Sequence, residues 1–408
     1  DGDGTNEILA FYCDEKSHPL KKGVHLFRTT VPDRPIATLE LDPAVSALML
    51  AETDGAAPKE LVAFDGEGAI IYKLDKDTLV ECAKPRFASL LPCGSKEPAI
   101  LEHLAEDLDG DGIEEWYVPV ARGIAIYSPK GTAVTVPCDI VSDIRGGGGG
   151  NVFISHRLPD CASFIRPGDS AKGVVCLSDE YADFAYGATW SDHAQWKIPL
   201  NLDEKWESSA RLADVNHDGL PDLSVTQTRG TVNLEVQTQI YIAQSACTYP
   251  ETPSTNLAVK GAYSQPIFKD VDGDKDLDMI VIAIPFGVKN FVNYFVRGKI
   301  SVDAEVYLFD NGGYGQKPAF TTSLTVDAPE GREQVVHAFG DFNGDGRLDA
   351  AFGKAEDKLA VFLGNPKDFL ESRPWMTLTV SSFGLARIFH LGGSDAADMV
   401  IYHPGMKH

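Results

Sequence analysis

Four nine-residue stretches place oxygen-bearing side chains at positions 1, 3, 5 and 9 of one tight turn. They are Asp107-Leu-Asp109-Gly-Asp111-Gly112-Ile-Glu-Glu115, Asp214-Val-Asn216-His-Asp218-Gly219-Leu-Pro-Asp222, Asp270-Val-Asp272-Gly-Asp274-Lys275-Asp-Leu-Asp278 and Asp341-Phe-Asn343-Gly-Asp345-Gly346-Arg-Leu-Asp349. Hard cations such as Ca²⁺ take six to eight oxygens, which carboxylates and a backbone carbonyl at position 7 largely supply. A glycine at position 6 permits the sharp turn, and three of the four loops have one. One acidic turn is commonly a solvated loop; four in register constrain the whole chain.

The same first six positions open an EF-hand, which also needs a bidentate Glu at position 12 and a helix on each side. Position 12 here is Val118, Val225, Val281 or Phe352, which excludes that fold. Branched and aromatic runs follow the loops at 116–120, 223–228 and 279–284, and such runs bounded by turn residues read as strands. The chain opens in mid-motif: Asp1, Asp3 and Glu7 fit positions 3, 5 and 9 of a fifth loop. Its position 1 would lie upstream, so the natural chain is expected to extend before residue 1.

Taking the position-5 acid as anchor, the copies fall at Asp3, Asp111, Asp218, Asp274 and Asp345. Two decayed copies keep the frame without the cage, around Asp54 and Ser394. The gap from Asp111 to Asp218 spans about two periods, which predicts a cage-free unit near 140–200. Strand-rich repeats of this length predict an all-β fold, a β-propeller of four-stranded blades. Length divided by period gives seven blades, or eight with both ends cut. Residues 1–408 read as a single propeller domain with an atypical unit or insert at 137–207.

The run Phe339-Gly-Asp341-Phe-Asn343-Gly-Asp345-Gly-Arg-Leu-Asp349-Ala-Ala-Phe-Gly353 resembles FG-GAP or VCBS-type repeats. Similar repeats build the integrin alpha-subunit head, certain fungal lectins and many secreted bacterial proteins. The resemblance implies that each loop joins the first two strands of a blade. It also implies structural Ca²⁺, about four to five ions in all. The implied side-chain ligands are Asp107, Asp109, Asp111 and Glu115; Asp214, Asn216, Asp218 and Asp222; Asp270, Asp272, Asp274 and Asp278; and Asp341, Asn343, Asp345 and Asp349. Two departures stand out: Lys275 in the usual glycine position, expected to bend or weaken its loop, and Glu115 for Asp at position 9.

A net charge of −24 disfavours nucleic acid and anionic membrane surfaces as partners, and no apolar run is long enough to span a bilayer. Seven cysteines occur, and the short gaps between Cys82 and Cys93 and between Cys161 and Cys176 suit strand-linking disulfides in an oxidising compartment. Buried free thiols are the alternative. No HExxH, GxSxG or phosphate-loop motif is present, so nothing marks a catalytic site.

Residues 137–207 are compositionally unusual. A run of five glycines at 146–150 is followed by Cys161 and Cys176, then by Tyr181, Tyr186, Trp190, Trp196 and Trp206. Exposed aromatic faces stack on sugars and anchor interfaces; filling the space between blades is the competing role. These five residues are the expected ligand-binding set. The favoured function is a non-catalytic, calcium-stabilised module for adhesion or binding of carbohydrate or protein, at the cell surface, outside the cell or in a periplasm. The alternatives are a polysaccharide lyase or hydrolase on the same scaffold, and a structural subunit of a secreted or surface assembly or a larger polypeptide.

Overall fold

The computed structural model describes residues 7–14, 17, 21–29, 34–95, 98–131, 133–146, 152–201, 206–230, 234–284, 299–327, 337–355, 357–380, 385–391 and 395–402. No helix occurs among them, and strands follow one another as antiparallel hairpins. The chain divides into two compact units, 1–199 with 246–248, and 200–245 with 249–408.

Four of the sheets with three or more strands lie in the first unit. Sheet 1 holds Glu7–Asp14, Lys21–Arg28 and Ala37–Glu40. Sheet 2 runs Ala47–Ala51, Glu60–Phe64, Ala69–Asp75 and Thr78–Ala83, with the short parallel strand Ala99–Ile100 beside the first. Sheet 3 holds Ala105–Glu106, Glu115–Val120, Gly123–Tyr127 and Ala133–Pro137, and sheet 4 holds Cys161–Phe164, Gly173–Leu177, Tyr181–Tyr186 and Asp192–Lys197. Between sheets 3 and 4 the hairpin Val141–Gly146 with Val152–Arg157 is inserted.

The second unit carries three more. Sheet 5 is Trp206–Ala213, Asp222–Arg229, Glu235–Tyr241 and Thr255–Lys260. Sheet 6 pairs Ala262–Tyr263 and Ile267–Lys269 with Asp278–Ile284, followed by Lys299–Tyr307 and Phe320–Asp327. Sheet 7 is His337–Gly340, Asp349–Ala355, Lys358–Phe362 and Met376–Thr379, and the hairpin Leu385–Phe389 with Asp398–Tyr402 follows.

Inner strands are covered on both faces and outer ones are not. Glu60–Phe64, Gly123–Tyr127 and Gly173–Leu177 are buried at every residue, whereas Thr78–Ala83 and Met376–Thr379 are mostly exposed. Successive side chains of a strand point to opposite faces, and each inner strand uses both. In Glu115–Val120, Trp116 and Val118 pack against Phe64 and Ile71 of sheet 2, while Tyr117 packs with Val174 and Cys176 of sheet 4. In sheet 6, Met279 and Val281 meet Ile240 of sheet 5, while Ile280 meets Ala350 and Phe352 of sheet 7. Face-to-face stacking of consecutive four-stranded meanders is the packing of propeller blades.

The fold class is the expected one, all-β and built of propeller blades, with seven sheets of three or more strands among the described residues. The cage-free unit expected near 140–200 is sheet 4, whose strands Cys161–Phe164 and Gly173–Leu177 are joined by a turn with no acidic cage. Within 137–207, residues 161–197 form an ordinary four-stranded blade, the hairpin Val141–Gly146 with Val152–Arg157 precedes it, and Trp206 already opens sheet 5.

Trp116 is fully buried against Phe64, Phe87 and Tyr127. Trp116→Ala is expected to destabilise the fold by about 3–5 kcal/mol through lost burial and the cavity left behind, measured by urea unfolding.

Candidate metal centres in the acidic loops

Each acidic loop sits between the first and second strands of its sheet, and a common hydrogen-bond pattern holds it. The position-1 carboxylate turns inward and accepts backbone N–H groups. In the 107–115 loop, Gly110 N and Gly112 N donate to Asp107 at 2.7 and 3.0 Å. In the 341–349 loop, Gly344 N and Gly346 N donate to Asp341, both at 2.7 Å. The position-5 carboxylate accepts from the backbone two residues on, as Asp345 does from Arg347 N at 3.0 Å. Positions 4 and 6 adopt left-handed backbone, with φ of 78° and 85° at Gly110 and Gly112 and 77° and 81° at Gly344 and Gly346.

Lys275 does not bend its loop differently. Its φ is 83°, the value glycine takes elsewhere, and Lys275 N donates to Asp270 at 3.1 Å as the glycines do. A Cβ at Gly112 or Gly346 would meet nothing within 4 Å, so position 6 selects for backbone conformation and not for space. His217 likewise sits left-handed at position 4, with φ 52°.

The position-9 acids are the buried acids of the motif: Glu115, Asp222, Asp278 and Asp349 are all 2% exposed or less. One oxygen of each accepts the N–H of position 2, from Leu108, Val215, Val271 and Phe342 at 2.8–3.0 Å. In the aspartates the other oxygen accepts from the chain beyond the third strand, Ala243 N, Phe309 N and Gly364 N, at 2.7–2.9 Å. The spacing suggested a cation ligand, and the geometry adds a latch that ties the loop to its own sheet. Asp398 keeps this contact in the last hairpin, accepting Leu391 N at 2.8 Å.

Three groups of three carboxylates place one oxygen each within 4.8 Å of one another: Asp107, Asp109 and Glu115; Asp270, Asp272 and Asp278; and Glu52, Asp54 and Glu60. That separation suits oxygens sharing one hard cation at 2.3–2.6 Å. The third group corrects the reading of the loop around Asp54 as a decayed copy. Thr53 N donates to Glu60 at 2.9 Å and Gly55 N to Glu52 at 2.9 Å, the position-2 and position-4 contacts of the intact loops. Glu52, Asp54 and Glu60 are therefore positions 1, 3 and 9, and Asp54 is not position 5. Glutamate for aspartate at position 1 and alanines at 56 and 57 hid the motif in the sequence.

Lysines stand at two loops. Lys73 Nζ lies 2.5 Å from Asp54 and 3.9 Å from Glu60. Lys130 pairs with Asp111, and the gathered carboxylates of that loop are the other three. Hydrogen bonding to these lysines holds Asp54 and Asp111 below the usual carboxylate range. Elsewhere burial acts the other way, aided by neighbouring carboxylates and opposed by the latch bonds. It pushes Asp222 up to about 7 and Asp278 and Glu115 up to about 6, and raises Asp349 and Glu60.

Neighbouring loops are also joined. Glu114 N donates to Glu52 O at 2.8 Å, Leu277 N to Val215 O at 2.6 Å and Ala397 N to Asp341 O at 2.6 Å. In each case the residue before the position-9 acid reaches the opening of the preceding loop.

In the 214–222 and 341–349 loops, Asn216 and Asn343 donate to Asp218 and Asp345 at 3.0 and 2.9 Å. Glu7 opens the first strand of sheet 1, while Asp1 and Asp3 lie outside the described residues. The five aromatics fall in two sheets. Tyr181, Tyr186, Trp190 and Trp196 belong to sheet 4, and Trp206 starts sheet 5 in the other unit. Trp190 is a packing residue, buried in the core with its indole N–H on Lys172 O at 2.8 Å. Tyr186 and Trp206 are stacked by Arg166 and Arg229, at 4.3 and 4.6 Å from the ring centres. Tyr181 and Trp196 are half-buried. A cavity of about 420 Å³ in the second unit, lined by Asp310, Asn311, Tyr314 and Lys317 among others, had no counterpart in the sequence reading. All seven cysteines are free thiols in this structure.

No family model matches the chain, and no curated protein matches it. Among solved structures, a protein from Lactobacillus plantarum aligns at 11% identity over 97% of this chain and 99% of its own, with TM-score 0.35. The WD40 domain of SCAP from fission yeast aligns at 8% identity over 86% and 79%, with TM-score 0.33. The V. cholerae biofilm matrix protein Bap1 aligns at 12% identity over 89% and 77%, with TM-score 0.28.

Three substitutions test the loop chemistry in excess chelator, by denaturant unfolding. Asp349→Ala removes a fully buried carboxylate and strands two part-buried N–H groups, and is expected to cost about 2–3 kcal/mol, against about 1 kcal/mol or less for the exposed Asp345→Ala. Lys275→Gly relieves left-handed strain and is expected to stabilise by about 0.5–1 kcal/mol after the added freedom of the unfolded chain is subtracted.

Proposed function

We propose that the chain is a Ca²⁺-stabilised, non-catalytic β-propeller module that binds carbohydrate or protein outside the cytoplasm. The observation that carries the cation reading is the recurrence of one hydrogen-bonded acidic loop at the same strand junction of sheets 2, 3, 5, 6 and 7. The donors are all oxygen, as a hard cation requires. Several are carboxylates burial holds above their ordinary range, so a divalent charge relieves a repulsion already built in. An extracellular, surface or periplasmic setting is part of the proposal, since Ca²⁺ sites of extracellular modules work at about 10⁻⁴–10⁻³ M.

Aligned loops closed by their own chain support a structural ion, since the latch leaves the position-9 acid little freedom to follow a substrate. For the ligand, the sheet 4 hairpin is the favoured surface. Trp196 lies opposite Ala182 in register, and so shares a face with Tyr186 four residues along the strand. Binding on a glycan array, lost at least tenfold in Trp196→Ala, supports this reading; unchanged binding in that variant removes it.

The cation reading has a pH signature. Asp222, Asp278 and Glu115 hold protons in the folded chain up to about 7, 6 and 6, whereas unfolded carboxyls release them near 4. The folded state then binds more protons through that window, so stability falls as pH rises from about 4 to about 7. Saturating Ca²⁺ is expected to remove this slope and raise the melting temperature, and millimolar Mg²⁺ is not. A melting curve indifferent to Ca²⁺ and chelator at pH 7 would exclude the proposal.

A further inference from the structure

Cys161 and Cys176 are directly opposed on the first two strands of sheet 4, with sulfurs 2.8 Å apart. Leu177 N donates to Asp160 O, which makes the adjoining cysteine pair the non-hydrogen-bonded kind, where opposed side chains stand closest. That spacing falls within the range a disulfide spans. A third thiol reaches the same sulfur from another sheet. Cys138 follows strand Ala133–Pro137 of sheet 3, packs on the same core as Cys176, and is hydrogen-bonded to it. Cys176 is wholly buried, whereas Cys138 and Cys161 are half-buried and open to a reagent.

We propose that Cys138, Cys161 and Cys176 form a thiol–disulfide exchange centre that takes small organic disulfides, with Cys176 as the shared partner of two alternative bonds. The Cys161 thiolate attacks a disulfide RSSR, forming Cys161–S–SR and releasing RS⁻. The Cys176 thiolate then attacks the Cys161 sulfur and expels a second RS⁻. Two protein thiols are oxidised, one RSSR is reduced to two RSH, and the two protein protons end on those leaving groups. Attack by the Cys138 thiolate on the Cys176 sulfur moves the bond, freeing Cys161 as a thiol without net oxidation. The first bond lies within sheet 4, and the second joins sheet 3 to sheet 4.

In the reduced centre the thiols differ in acidity. The hydrogen bond from Cys176 holds Cys138 below the ordinary thiol range, and burial keeps Cys176 well above it. The oxidant therefore meets the half-buried Cys161 or Cys138 first, and Cys176, whose proton passes to the departing RS⁻, enters as the resolving partner.

The test treats the full chain with oxidised glutathione, alkylates free thiols and maps linkages by mass spectrometry. The wild type is expected to give Cys176 joined to Cys161 and to Cys138. Cys161→Ser is expected to shift all of the Cys176 linkage to Cys138, and Cys138→Ser to shift all of it to Cys161. A free Cys176 in Cys161→Ser, under conditions that join Cys161 to Cys176 in the wild type, would overturn the proposal. So would a stoichiometric thiophilic metal that stays bound through gel filtration in reductant and shields all three thiols, which would make the cluster a metal site. Both variants replace half-buried residues, and circular dichroism of each against the wild type checks that the fold is intact.

Discussion

A carboxylate buried at the start of a strand is the interaction on which the acidic-loop sheets depend. Asp222, Asp278 and Asp349 each take one N–H from the loop and one from beyond the third strand. Three backbone segments thereby converge on one side chain. An unpaired buried N–H is costly, so the acid is a structural requirement whether or not a cation is bound. Glu60 and Glu115 perform the loop half of this role with a longer arm.

The same arrangement creates an electrostatic burden. Burying a charge disfavours it, and placing others alongside disfavours it further. Two remedies are visible in the chain. Ammonium groups on Lys73 and Lys130 meet the loops of sheets 2 and 3. Around Asp278 the described residues offer backbone N–H groups in place of a lysine, and there a divalent cation would relieve the crowding of Asp270, Asp272 and Asp278.

Much of this was legible in the sequence. The period of the acidic turns and the branched runs after them set out the blade, and the long interval between Asp111 and Asp218 correctly located sheet 4. The roles of individual acids were less legible. Position 9 looked like any other oxygen donor, because spacing reports where a side chain falls along the chain and not which buried N–H groups await it. The loop at 52–60 was misread by two residues because glutamate replaced the first aspartate and alanine the third. Trp190 looked like a ligand platform, yet its indole fills a core and satisfies Lys172 O. Composition cannot separate those two uses of an aromatic ring. The opposition of Cys161 and Cys176 followed from their short separation, whereas Cys138 comes from another sheet and left no local trace.

The straps between adjacent loops carry a lesson about proline. Glu114, Leu277 and Ala397 each pass a backbone hydrogen to the loop before them, so the residue preceding the latch acid must own an amide proton. In sheet 5 that residue is Pro221, which has none, and its carbonyl instead receives the Tyr249 hydroxyl at 2.9 Å. At this loop the residue before the latch acid thus serves as an acceptor within its own unit and has no proton to give.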